Sequence, residues 1–200
     1  MSKQTLKNIY QFKITLQNIK PKIWRRIQVP ENYNFWDLHV AIQDSMGWED
    51  YHLHQFDMEN PKTGDKVAIG IPNEDGLADY KIIPGNKAKI AKYFITPKDK
   101  AIYEYDFGDG WGHEIVLEKI LSVEDGAKYP RCVAGERACP PEDCGGPWGY
   151  AELLEIMQDK EHEEYEEKME WLGNEFDPED FAPEDVEFDD PKKRYKIAFG

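Results

Sequence analysis

No stretch of this chain approaches the roughly 20 consecutive apolar residues needed for a membrane-spanning helix. Serine is scarce: Ser2, Ser45 and Ser122 are the only ones, and none sits in a Gly-x-Ser-x-Gly setting, which removes the usual seat of a serine nucleophile. Arginine is scarce too, with five residues, and no glycine-rich loop is followed by Lys-Ser/Thr, so a Walker-type phosphate cradle is excluded. The three cysteines include no Cys-x-x-Cys pair, the hallmark of a paired zinc knuckle. Their odd number, with no secretory pattern ahead of the first strand, points to a reducing compartment and a soluble, cytoplasmic protein.

Charge is present, but of one sign and in one half. The formal net charge is −15 over 200 residues. Residues 1–100 carry 15 basic and 12 acidic side chains, and residues 101–200 carry 10 and 28, so the second half has a net charge of −18. Such a surface repels phosphate backbones and disfavours nucleic-acid binding by the whole chain. A local anion site in the first half, where Lys20, Lys22, Arg25 and Arg26 surround one turn, escapes that objection; a solvated surface explains these residues equally well.

Periodicity supplies the fold class. Tyr10, Phe12, Ile14 and Leu16 alternate with polar residues, and Ile23, Arg25, Ile27 and Val29 resume the alternation after a turn, which reads as a hairpin. Asn34 caps a helix with an apolar stripe of Phe35, Leu38, Ile42 and Met46 that ends at Gly47. Strands follow near His52–Met58 and Lys66–Ile71, then a short helix over Lys87–Phe94. Ile102–Phe107 and His113–Leu121 form the clearest hairpin. Tyr150, Leu153, Leu154 and Met157 mark one later helix, and His162, Tyr165, Met169 and Leu172 a second. Asp177-Pro178 reads as a helix start with Phe176 and Phe181 in contact across it, and the residues from Pro191 as a loosely held tail. Strands first and helices later, without strict βαβ alternation, predict an α+β fold: one domain over 1–190, a mostly antiparallel sheet with packed helices, and an acidic helical segment near the C-terminus.

Four constellations are candidates for chemistry. Cys132, Cys139 and Cys144 lie within thirteen residues, in a stretch whose Pro and Gly content argues against helix or strand; with His113 as fourth donor they make a candidate structural zinc set. Plain burial of thiols and of an inward imidazole accounts for the same residues. Asp106, Asp109, Trp111 and His113 crowd the turn of the clearest hairpin, where carboxylates and imidazole suit a metal or a proton transfer, and equally a turn that locks the sheet edge. His52 and His54, two apart on a strand, would share a face and grip one ion from one side. Gly145-Gly-Pro-Trp-Gly149, ahead of a helix, offers amides to an anion, although the turn alone explains it.

Taken together, these residues resemble the plasmid pRiA4b ORF-3-like family. The likeness rests on Ile23-Trp-Arg-Arg26, His52-Leu-His-Gln-Phe56, and Tyr105-Asp-Phe-Gly-Asp-Gly-Trp111 with His113. Tyr129-Pro-Arg-Cys132, Gly135-Glu-Arg-Ala-Cys-Pro-Pro-Glu-Asp-Cys-Gly-Gly146, Trp171 and Phe176-Asp-Pro-Glu-Asp-Phe181 complete it, to about Asp185. The resemblance implies an α+β fold and carries no established activity. Some relatives bear resolvase-like names; five arginines and no placed serine nucleophile argue against a recombinase here. The expectation is therefore a non-enzymatic binding module, its cysteine loop packed beside the 111–113 hairpin and stapled by zinc, with a protein or nucleic-acid partner. The alternative is a metal-dependent enzyme using the His, Asp and Cys cluster.

Overall fold

The computed structural model describes residues 6–72, 81–173 and 175–200. In chain order the elements are β1 (Asn8–Leu16), β2 (Trp24–Pro30), α1 (Phe35–Met46), β3 (His54–Glu59), β4 (Lys66–Gly70), β5 (Ile82–Pro84), β6 (Lys100–Tyr105), β7 (Trp111–Ser122), β8 (Arg131–Glu136), α2 (Gly146–Gln158), α3 (Tyr165–Trp171) and α4 (Pro191–Phe199). Among the described residues, eight strands form one sheet in the order β5-β4-β3-β6-β7-β1-β2-β8, antiparallel throughout except for the β4–β5 pair. The chain is a single α+β domain. Among the described residues, no helix is long and apolar enough to cross a membrane.

One sheet face packs on α1 and makes the core. Phe12, Ile14, Phe56, Tyr103 and Ile115 point into it, with Phe35 of α1 set edge-on to Phe56. The α1 start follows from a reciprocal cap: the Asp37 amide donates to Asn34 Oδ1 and the Asn34 amide to Asp37 Oδ2, each at 2.9 Å. Gly47 ends the helix in the left-handed region, φ 89°. Trp36, His39 and Gln43 are buried as well as the apolar stripe, because α1 is covered on a second side.

The opposite sheet face carries a polar ladder. Gln28 donates to Gln11, Gln11 to Glu118, Arg131 to Gln28, and Arg26 forks onto Glu118 at 2.6 and 2.9 Å. Arg25 points the other way and is buried, its guanidinium donating to the carbonyls of Ser45, Trp24 and Glu136 while lying 3.5 Å over the Phe181 ring. The basic turn proposed around Lys20 thus loses both arginines to internal contacts.

Several expectations need correction. Residues 87–94 form no α-helix; two 3-10 turns, Gly85–Lys87 and Ile90–Lys92, stand there instead. The cysteine-rich stretch begins as strand β8, with Cys132 in it, because β2 presents a free edge that Arg131–Glu136 closes. Asp177 starts no helix: its side chain accepts from the Glu179 amide and closes a turn. Phe176 packs on Tyr150, whereas Phe181 packs on Arg25. The tail expected from Pro191 is helix α4, and this C-terminal helix is basic, with Lys192, Lys193, Arg194 and Lys196. Arg194 holds it down by reaching Asp44 at 2.6 Å and Asp50 at 3.5 Å, while Tyr195 and Phe199 set their rings edge-on to Trp36.

Candidate functional site

Among the described residues, two groups of three or more metal-ligating side chains bring their donor atoms within 4.8 Å of one another: His39, Asp50 and His54, and His52, Asp106 and Asp143. The strand reading that put His52 and His54 on one face therefore fails. β3 begins at His54, and the backbone before it turns His52 outward into a different cluster.

The first group is internal, and His39 and Asp50 in it are hydrogen-bonded, while His54 Nδ1 is buried without a partner. Gln43 donates to the Tyr103 hydroxyl, which in turn donates to His39 Nδ1 at 2.8 Å, leaving Nε2–H to donate to Asp50 at 2.8 Å. Arg194 adds a positive charge at the other Asp50 oxygen. Burial holds both His39 and His54 well below the usual imidazole range, so both are neutral. Their rings stack with centroids 3.5 Å apart and planes 11° apart. An imidazole lone pair lies in its ring plane, and an ion shared between such parallel rings would stand about 1.7 Å out of each plane, most of a bond of about 2.1 Å. This group braces α1, β3 and α4.

The second group lies where three loops meet. His52 comes from the lead-in to β3, Asp106 from the turn between β6 and β7, and Asp143, with its neighbour Glu142, from the cysteine loop. His52 Nε2 stands 3.7 Å from Asp106 Oδ2, 3.8 Å from Glu142 Oε2 and 3.2 Å from Asp143 Oδ1, and is buried without a hydrogen-bond partner. Each carboxylate is oriented from behind. Asp106 Oδ1 accepts from the Gly108 amide at 2.9 Å, which frees Oδ2 for the cluster. Glu142 Oε1 accepts from the Glu49 amide and the Tyr105 hydroxyl at 2.8 and 3.0 Å. Asp106 and Asp143 both hold left-handed backbone, φ 54° and 57°, a conformation that Asp tolerates better than most side chains. Burial, and then repulsion from Asp143, push the Glu142 carboxyl up. Three carboxylates thus face one imidazole.

The remaining candidates have other duties. Asp109 accepts from the Gly145 amide at 3.2 Å, so the anion at the start of α2 is the protein's own carboxylate. Gly146, φ 70°, lets that start approach the hairpin: a Cβ there would stand 2.2 Å from the Asp109 carbonyl oxygen. Trp111 is 1% exposed and packs on Trp48, with no free face for a ligand. His113 points inward as expected; Nδ1 donates to the Trp111 carbonyl at 3.0 Å, Nε2 has no partner, and burial lowers its pKa to about 4. Cys132, Cys139 and Cys144 are free thiols packed against the core. Burial pushes all three up, Cys144 to about 12. The thiols and His113 belong to neither donor group.

Residues 8–185 match the family model described as plasmid pRiA4b ORF-3-like protein. The chain belongs to this family. It is 35% identical over 167 residues to the uncharacterized protein y4hQ of Sinorhizobium fredii, covering 84% of this chain and 82% of that protein. The crystal structure of MM3350 from Methanosarcina mazei Go1, a protein of unknown function, superposes with a TM-score of 0.86 at 52% identity, over 92% of this chain and 100% of that one. The family likeness thus extends to an experimental fold and brings no activity with it.

Of these candidate donors, the sequence marks His52 and Asp106; it does not mark Glu142, Asp143, His39 or Asp50. A signal for the first two existed in Cys139-Pro-Pro-Glu-Asp-Cys144, where two adjacent carboxylates sit in a loop that the cysteines had already marked.

Proposed function

We propose that this protein is a non-enzymatic binding module whose loop end is stapled by a divalent cation held between His52, Asp106, Glu142 and Asp143. The observation that carries this reading is the convergence of three carboxylates from two loops on one unpartnered imidazole nitrogen from a third. Around an ion with bonds of about 2.0–2.3 Å, neighbouring donors stand about 3–3.7 Å apart. The separations from His52 Nε2 are 3.2, 3.7 and 3.8 Å; His52, Asp106 and Asp143 bring their donors within 4.8 Å of one another, and Glu142 would have to swing in to complete the set. One nitrogen and three oxygens suit Zn²⁺ or Mn²⁺ better than a thiolate-seeking ion. The staple thus keeps the expected place, cysteine loop against hairpin, but uses the carboxylates of that loop and not its sulfurs.

Such an ion would tie the β3 lead-in, the β6–β7 turn and the loop before α2 into one rigid end. Tyr51, Leu53 and Phe107, exposed beside the ligands, form its rim. The enzyme reading retains one supporting observation: the Asp143 side chain is 69% exposed, so one side of the cluster faces solvent, as a catalytic ion requires. Thermal unfolding with Mn²⁺ or Zn²⁺ against chelator tests the staple. An ion at 100 times its Kd adds about 2.7 kcal/mol of stability, and Glu142→Gln is expected to abolish that gain while leaving the chelated protein folded. An unchanged transition in the native protein would remove the reading.

A further inference from the structure

We infer that the cleft between α2 and α3 docks a basic polypeptide segment, with an arginine side chain entering against Trp171. The cleft has a volume of about 250 Å³. That lies below the roughly 300–1,000 Å³ usual for small-molecule sites and suits a single long side chain. Leu153 and Ile156 form its floor, Trp171 a wall, and Asp143, Glu152 and Glu167 carboxylates its rim, with Lys168 the one cation among the lining residues. Neither Glu152 nor Glu167 is engaged in an ion pair among the described residues. Trp171 is half exposed, and Trp148 at the start of α2 is 88% exposed.

Charge complementarity names the occupant. Residues 141–190 carry 20 acidic and two basic side chains, Lys160 and Lys168. That field draws in a cationic chain and repels nucleic acid and anionic membranes. Tryptophan offers the strongest ring face to a cation, and guanidinium stacks on it while forking to a carboxylate, which ammonium cannot do. Arginine is therefore the preferred side chain over lysine. The wet face of an acidic helix would need no half-bare indole, and Trp171 supplies one to this cleft.

The test titrates the intact protein, in chelator so that no bound ion is required, with a capped nine-residue arginine peptide, its lysine counterpart and a glutamate control. Calorimetry and tryptophan fluorescence are read at two salt concentrations. The arginine peptide is expected to bind several-fold tighter than lysine, the glutamate control not at all, and Trp171→Ala to weaken the arginine complex about tenfold. The isosteric pair Glu152→Gln with Glu167→Gln, which spares the fold, is expected to weaken it by a comparable factor. Equal affinity for the native protein and both variants would reduce the effect to diffuse charge and overturn the assignment. Concentration-dependent self-association that Trp171→Ala abolishes would give the cleft to a second copy of this chain and overturn it too.

Discussion

His113 shows how a single residue carries both a cost and a measurable signature. Its Nε2 lone pair is buried without a partner, and burial keeps the ring neutral with a pKa of about 4. The unfolded chain takes up a proton near pH 6.5, so the stability owed to this neutral ring is present above that pH and is lost as pH falls toward 4, by about 3 kcal/mol. His39 and His54 are depressed in the same sense, whereas Asp44, Asp50 and Glu142, raised by burial, act with the opposite sign. The difference between native protein and His113→Phe isolates the one residue: chemical denaturation between pH 4 and 7 is expected to give the variant a flatter slope by up to one proton. The thiols provide a second check at this scale. Burial holds them protonated and partly covered, so a maleimide or disulfide reagent at pH 8 should label the folded protein far more slowly than the unfolded one.

Among the elements, α4 departs most from its sequence pattern. Its apolar residues are few, and Ile197 is 86% exposed, so periodicity gave no reason to dock it. What docks it is a charge match that only the fold assembles: Asp44 from the end of α1 and Asp50 from the loop after it, both approached by Arg194. Arg194→Ala should strand those two partly buried carboxylates and cost about 2–4 kcal/mol, read in the urea midpoint. If the midpoint stays put, α4 is held by its rings on Trp36 and by the Trp36–Pro191 and Asn86–Tyr195 hydrogen bonds. Elsewhere, legibility followed local physics. The β1–β2 and β6–β7 hairpins and α1 were readable because alternation and capping residues sit within a few positions of one another. β8 was not, since Pro and Gly nearby masked a strand whose only inducement is the free edge of β2. β5, three residues in parallel with β4, has too short a pattern to announce itself.

For the molecule as a whole, the α+β class and the single sheet were legible, while the site was half legible. His52 and Asp106 stood out as chemistry-bearing types, but which donors meet depends on loops from residues 52, 106 and 142–143, and no local pattern encodes that meeting. The same topology explains why a rich negative charge is tolerated: much of the acidic surplus lies on α2, α3 and the segment that follows, on the solvated side, while the basic α4 returns to the acidic end of α1. The central claim is that the loop carboxylates, and not the thiols, hold a cation. Equilibrium dialysis against Mn²⁺ and Zn²⁺ with elemental analysis tests it most directly. One equivalent is expected in the native protein and in a Cys132, Cys139 and Cys144 to Ala variant, and none in Asp106→Asn with Glu142→Gln. Metal lost with the thiols and kept without the carboxylates would contradict the account.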